Sequence, residues 1–432
     1  MLGSGDLGAN GLCGPVFFGL LNSQTPCEAG FLRLRLIHPN PTGLPALWRY
    51  WVNSVISQYN IVTITAIIPT NHFPNPASVP VFISLFLLAN YTLWTHISAL
   101  DISKPPDPPT CPSPPTYTAS PGDLRYTGLA VPDQILCTLV NFFTVVLNSP
   151  AKAHTIHFLI QFPGIILPFV VEGTRDNGSL LISHFIIGTA YQLKGAGVVT
   201  PLAYLLTLWL TSSVRGRGTK RGTAPLTQRQ AESILVSILL GFVLPSVLVV
   251  RTLSPYSIAL WQPVPWYMSA AQALYRLAAP APPASSPASK PGSGSALFKS
   301  TLYTLSTGAA IAHWVFLYRF FSAPAFAPSS LLNFSWLPSL SIPPHDTPAT
   351  EAFAHFLEWD AVICYTTASL GGLWLLDLAR TKTTSVDGWV KEVVGKIFVG
   401  VVAGPGAMLC TIWGEREDAL VHAWRAEGEK KK

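Results

Sequence analysis

Residues 352–379 read AFAHFLEWDAVICYTTASLGGLWLLDLA. The stretch is apolar and long enough to cross a bilayer as one helix, which takes about 20 residues. Near its start it carries His355, Glu358 and Asp360. Ionisable groups at membrane depth are costly, so they usually face a cavity or a partner and mark function.

The rest of the chain fits a membrane setting. Of 432 residues, 49% are hydrophobic and only 11% charged, where a soluble domain carries about 25% charged residues. The predicted fold class is all-α, a polytopic integral membrane bundle of eight or nine transmembrane helices. The expected spans are 78–99, 129–149, 154–171, 181–212, 231–250, 257–277, 298–321, 352–379 and 389–413, which places the bundle over 78–413. Residues 1–77 form a cytosolic or interfacial N-terminal segment, and 414–432 a charged C-terminal tail. Three Pro-rich stretches, 102–121, 279–297 and 324–348, read as linkers that cannot pack a core.

The net charge of +6 sits mostly in loops, and the chain carries no nucleic-acid-binding motif. The six cysteines are scattered without CxxC or Cys/His ligand spacing, which indicates neither a zinc site nor a disulfide framework. No cleavable signal peptide is evident.

Basic residues orient the chain. Loop 213–230 holds Arg215, Arg217, Lys220, Arg221 and Arg229, so it is expected in the cytosol. Alternation then places 172–180 and 322–351 in the lumen, where two glycosylation sequons fall, Asn177-Gly-Ser and Asn333-Phe-Ser. On this topology four helix ends bring polar groups to one membrane face. They carry Glu172, Arg175 and Asp176; His184; Trp261, Gln262 and Trp266; and His355, Glu358 and Asp360. Gln192 follows His184 along the same span, and Lys194 lies deep within it. Helix bundles place ligand sites at such convergences.

Helix geometry separates the two acids of the opening stretch. Two residues apart is about 200° around the axis, so Glu358 and Asp360 cannot share a face. Asp360 continues as Cys364, Thr367 and Gly371, a small and polar stripe suited to helix contact. Asp360 is therefore the preferred buried acid and Glu358 the second. The competing reading makes either one a helix-start or headgroup-level acid. Glu172 and Arg175 are spaced for an ion pair. Gln262, next to prolines, can present polar groups to a cavity.

The chain contains no DDxxD, NSE-type or DxDD cluster, no P-loop, GxGxxG, GxSxG or HExxH, and no His-box array. These absences disfavour a metal-bound diphosphate, a nucleotide and a di-iron centre. Proton chemistry by carboxylates in an apolar pocket remains. Aromatic faces in such a pocket can stabilise a carbocation.

Several strings resemble one fungal family, the membrane-bound terpene cyclases typified by the ascofuranone-pathway enzyme. They are VEGTRDNG (171–178), YQLKGAGVVTPLAYLL (191–206), LGFVLPSVL (240–248) with SIALWQPVPWY (257–267), HFLEWD (355–360) and VAGPGAMLCTIWGERED (402–418). The family often has Gln at the position of Glu358 and Asp at that of Asp360, and Lys194 departs from an expected apolar residue. The resemblance implies cyclisation of a farnesyl chain on an aromatic or polyketide-derived meroterpenoid. Protonation of an epoxide or terminal olefin would start it, an isomer would result, and no cofactor would be consumed.

The expected roles follow. Asp360 is the general acid, with Glu358, Glu172 or Asp176 as supporting acid or final base. Arg175, His184, Gln192, Trp261, Gln262, Trp266 and His355 are the substrate-binding set. The setting is multi-pass in the endoplasmic reticulum membrane, with other enzymes of one pathway as expected partners. Two alternatives stand: a transporter of a lipophilic metabolite, which needs a polar path to both faces, and a non-catalytic scaffold.

Overall fold

The computed structural model describes residues 78–94, 126–149, 151–175, 183–216, 224–321, 347–380 and 385–429. The expectations for 1–77, Asp176, both sequons, the Pro-rich stretch 102–121 and nearly all of 324–348 lie outside them. Among the described residues every regular element is helical and none is a strand.

The α-helices are α1 Ser78–Ala89, α2 Ala130–Leu147, α3 Lys152–Gln161, α4 Pro163–Thr174, α5 His184–Lys194, α6 Ala196–Gly216 and α7 Gln228–Val236. There follow α8 Leu244–Thr252, α9 Pro255–Trp261, α10 Val264–Ala278, α11 Ser295–Phe321, α12 Ala349–Ala379, α13 Val386–Ala403 and α14 Pro405–Glu429. Among the described residues three helical stretches are long and apolar enough to cross a membrane: Lys152–Thr174, Gln228–Thr252 and Thr350–Ala379. Shorter apolar helices cover Ser78–Leu93, Ile135–Leu147 and Ala196–Ser212.

Glycine and proline set the breaks, and three of them divide expected spans. Gly195 (φ +86) separates α5 from α6, and Gly404 (φ +90) separates α13 from α14. Only glycine takes that backbone cheaply. Spans 181–212 and 389–413 are therefore each two helices. Span 257–277 is likewise divided at Gln262–Pro263, between α9 and α10. Lys194 consequently sits in the exposed last turn of α5, at a chain break rather than deep in a span.

Helix α12 is the axis of the packing. Asp360 meets Gly197, Cys364 meets Thr200, and Gly371 lies against the Tyr204 ring. These contacts advance in one direction along both chains, so α6 and α12 run parallel. The small and polar stripe expected from helical spacing is this interface, where small side chains let membrane helices approach. On another side, Gly372 faces Ile412, and Arg416 donates from Nε to Leu375 O at 3.3 Å. Gln161 ties the α13–α14 break to the bundle. Its Nε2 donates to Ala309 O (2.7 Å), and its Oε1 accepts from Gly406 N (2.8 Å).

Four expectations are corrected here. The stretch 279–297 is not a loose linker. Gly292 N and Gly294 N both donate to Leu226 O, and Ser293 Oγ accepts from Gln228 N. A Cβ at Gly294 would collide with Thr227 O, so glycine permits this docking. Residues 414–429, expected in a charged tail, continue α14, and its Arg416 and Glu417 are buried. The topology changes too. Arg175 donates to Ala224 O, and Leu226 N donates to Glu417 Oε1 at 2.7 Å. A hydrocarbon core of about 30 Å cannot separate groups in hydrogen-bond contact. Residues 172–175 and 224–227 therefore share one face of the bundle, and the pair of helices meeting at Gly195 supplies the return. Finally, Cys137 is disulfide-bonded, although the cysteine spacing suggested no such bond.

Candidate active site

Residues of α2, α3, α5, α9 and α12 border a cavity of about 260 Å³. Helix α2 contributes Thr138, Leu139, Phe142 and Phe143, and α3 contributes Thr155, Phe158 and Leu159. Phe353, Phe356, Leu357 and Asp360 recur at one-turn spacing along a single face of α12. Phe162, Tyr191, Gln192 and Trp261 complete the wall, beside the Gly195 break. The aromatic rings hold one another. Phe142 lies 4.8 Å from Phe353 and 5.4 Å from Phe356, and Phe143 meets Trp261 edge-on at 5.4 Å. Such edge-to-face pairs fix ring orientation. Trp261 is further held by its Nε1, which donates to Ser246 Oγ at 3.0 Å.

Among the described residues Asp360 is the one carboxylate on this wall. It is 4% exposed. Gly197 N donates to its Oδ1 at 2.6 Å. That amide lies in the first turn of α6, where backbone N–H groups have no helical acceptor and favour an anion. Glycine is needed for the approach. A Cβ at Gly197 would stand 3.1 Å from Oδ1, and one at Gly195 would stand 3.2 Å from Phe356 Cζ and 3.3 Å from Oδ1. The break that divides an expected span thus also seats the acid.

The other expected site residues separate into three places. Gln192 and Trp261 line the cavity with Asp360. His184 stands one layer behind, its Nε2 3.4 Å from the hydroxyl of the wall residue Tyr191. Gln262 is buried at the α9–α10 break, where its Nε2 donates to Ile258 O. Trp266 is half-exposed outside the cavity, donating from Nε1 to Thr189 Oγ1. His355 and Glu358 are half-buried and do not line the cavity. The helical separation of Glu358 from Asp360 holds.

Glu172 and Arg175 belong to a different site. Arg175 Nε donates to Glu172 Oε1 at 2.9 Å and its Nη2 to Glu417 Oε2 at 2.8 Å. Arg416 forks onto both Glu172 oxygens, at 2.6 and 3.2 Å. Ser295 Oγ and Leu226 N complete the Glu417 shell. All four charged side chains are at most 4% exposed. Burial pulls the Arg175 guanidinium down, but Glu172 and Glu417 outweigh it and hold it above its ordinary value. The cluster is two acids and two bases, neutral as a unit, and it joins α4, α14 and the 224–227 segment. It lines no part of the aromatic cavity.

Much of the wall escapes a search for polar residues. Phe142, Phe143, Phe353, Phe356 and Tyr191 carry no motif, although the spacing of Phe353, Phe356 and Asp360 is a helical face visible in the sequence. Arg416 and Glu417 are hidden by their place beyond the expected last span. Among the described residues no group of three or more His, Cys, Asp or Glu could hold a metal ion.

Comparison with known proteins accords with this arrangement. No solved structure matches the chain. The terpene cyclase ascI of Acremonium egyptiacum is 28% identical over 337 residues, spanning 71% of this chain and 82% of that protein. Residues 79–421 match the CtvD domain. That match runs from α1 into α14 and takes in both the cavity and the charge cluster, so the chain belongs to the CtvD-domain family.

Proposed function

We propose that this chain is a multi-pass terpene cyclase of the endoplasmic reticulum membrane. Its substrate is a farnesylated aromatic or polyketide-derived compound, and Asp360 starts the cyclisation. The observation that carries the reading is a single carboxyl on the wall of an aromatic cavity. At about 260 Å³ the cavity lies just below the usual 300–1,000 Å³ of ligand pockets. It suits the reacting apolar chain, with the polar head left toward the exposed rim at Thr138 and Leu193.

The residues supply each requirement of proton-initiated cyclisation. Asp360 gives its proton to an epoxide oxygen, opening the C–O bond, or to a terminal olefin. The carboxylate left behind keeps the Gly197 N–H and the start of α6 as its partners. Neighbouring π-bonds attack the cation in turn. The faces of Phe142, Phe356 and Trp261 offer negative quadrupoles to the migrating charge and exclude water that would quench it. Loss of a proton closes the sequence on an isomer of the substrate.

Glu172 receives no proton step, since Arg175 and Arg416 occupy its oxygens. A transporter would need a polar path to both faces, whereas the cavity wall is mostly apolar. Microsomes holding the protein, supplied with a farnesylated aromatic ester and with its terminal epoxide, test the reading. Asp360→Asn is expected to lower conversion of whichever compound the parent protein cyclises by about 10²–10⁴-fold. Full conversion by that variant refutes the assignment.

A further inference from the structure

Proton-initiated cyclisation needs a group to take the last proton, and the acids first considered for that step are misplaced. Glu172 is held by two arginines, and Glu358 does not line the cavity. One wall residue has a basic group directly behind it. The Tyr191 hydroxyl is 3.4 Å from His184 Nε2, two turns earlier on the same face of α5. His184 is 4% exposed and its Nδ1 has no hydrogen-bond partner.

A neutral imidazole has one N–H and one lone pair. The phenol can donate only where Nε2 holds the lone pair, which places the hydrogen on Nδ1, buried and without an acceptor. Native proteins seldom leave a buried donor unpaired, and catalytic duty is one of the known reasons. With the hydrogen on Nδ1, the His184 lone pair faces Tyr191, the one phenol among the described residues on the cavity wall, and this is the tautomer a relay requires. Packing holds the ring there: a Cβ on Gly188 would touch both Pro265 and, at 3.4 Å, His184 Cε1.

We propose that Tyr191, backed by His184, takes the terminating proton of the cyclisation; the proposal rests on the cyclase reading above. The C–H bond beside the final cation breaks, and its electron pair becomes the new C=C bond. The proton passes to Tyr191 Oη, and the phenol's own proton passes to His184 Nε2. The positive charge thus moves from carbon to an imidazolium carrying hydrogen on both nitrogens. The Asp360 carboxylate left by the first step is its counter-charge, and transfer of that proton back to Asp360 resets the site. Tyr191 is the catalytic residue of this step and His184 its positioning partner and proton reservoir.

The test uses the full-length protein in microsomes, with the farnesylated aromatic ester and its epoxide as probes. Tyr191→Phe keeps the ring and removes the relay. It is expected to form roughly 10²-fold less of the regular product relative to misplaced olefins and water-captured alcohols. His184→Asn is expected to give the same product shift. An unchanged product ratio in both variants overturns the proposal. Asp360→Asn separates the two readings, because it lowers consumption about 10²–10⁴-fold, whereas the relay variants shift the product ratio. A second measurement needs no turnover. In the ring-¹⁵N histidine spectrum of the detergent-solubilised protein, His184 is expected as the Nδ1–H tautomer, with its Nε2 shift moved by Tyr191→Phe. An Nε2–H tautomer overturns the relay.

Discussion

Asp360 and Glu172 are buried alike, each 4% exposed, yet their surroundings are opposite. Glu172 accepts from two arginines and is part of a neutral cluster of four. Asp360 accepts from one backbone amide and borders an open aromatic space. Burial alone therefore does not identify a working acid. A carboxylate whose lone pairs are filled by cations holds helices together. One that keeps a face toward an empty apolar volume can exchange a proton with what enters it.

The largest expected difference between the two sites is in activity. Asp360→Asn keeps an oxygen for the Gly197 amide and loses the acid. General acid catalysis contributes about 10²–10⁴-fold, so cyclisation is expected to fall by that range while thermal stability holds. Product formation per folded protein, measured beside a detergent melting curve, checks both halves. A variant that melts early and retains its specific activity would invert the comparison.

Glu172→Gln is expected to do the reverse. Removing one partner from a buried ion pair costs about 3–5 kcal/mol, because the remaining charges are left uncompensated. The variant is expected to unfold at lower temperature, with near-parental turnover in the fraction that stays folded. Arg416→Met combined with Glu172→Met is expected to lose less than the two single changes added together. A double-mutant cycle reads that coupling directly. Additivity would mean that the cluster is four independent contacts.

The two sites were not equally legible in the sequence. Apolar length alone marked the helical class and the opening span. Helical angle separated Glu358 from Asp360, and the Asp360–Cys364–Thr367–Gly371 stripe is the face that meets α6. Both depend on 3.6 residues per turn, which a single sequence contains. The charge cluster depends on contacts between Glu172 and Arg416, 244 positions apart, and no local pattern encodes those. The error in topology had a related cause. A hydropathy window reads 181–212 as one crossing, because glycine costs little hydropathy while the positive φ of Gly195 divides the stretch into two helices.

Gly197→Ala probes the seat of Asp360 without touching its chemistry. Within a helix, alanine is ordinarily preferred over glycine by about 0.5–1 kcal/mol. Here its Cβ would stand 3.1 Å from Asp360 Oδ1 and 3.3 Å from the Asp360 Cα and backbone oxygen. The carboxyl must shift, and a displacement near 1 Å can cost about 10²-fold in rate. The expected result is a melting temperature close to the parent's with turnover reduced by roughly 10- to 100-fold. Equal losses in both would place Gly197 with the structural residues.

The smallest effect belongs to the wall. Trp261 lines the cavity, packs edge-on against Phe143 and donates to Ser246. Trp261→Phe keeps an aromatic face and loses the hydrogen bond, whereas Trp261→Leu loses the face as well. A cation–π contact is worth about 0.5–2 kcal/mol, or roughly 2- to 30-fold in rate. Leu is therefore expected to fall below Phe by that factor, while melting curves of the two variants stay close. The ordering separates the two roles of the ring. If Phe and Leu slow the reaction equally, Trp261 serves through its bond to Ser246, and the cation is stabilised by other rings of the wall.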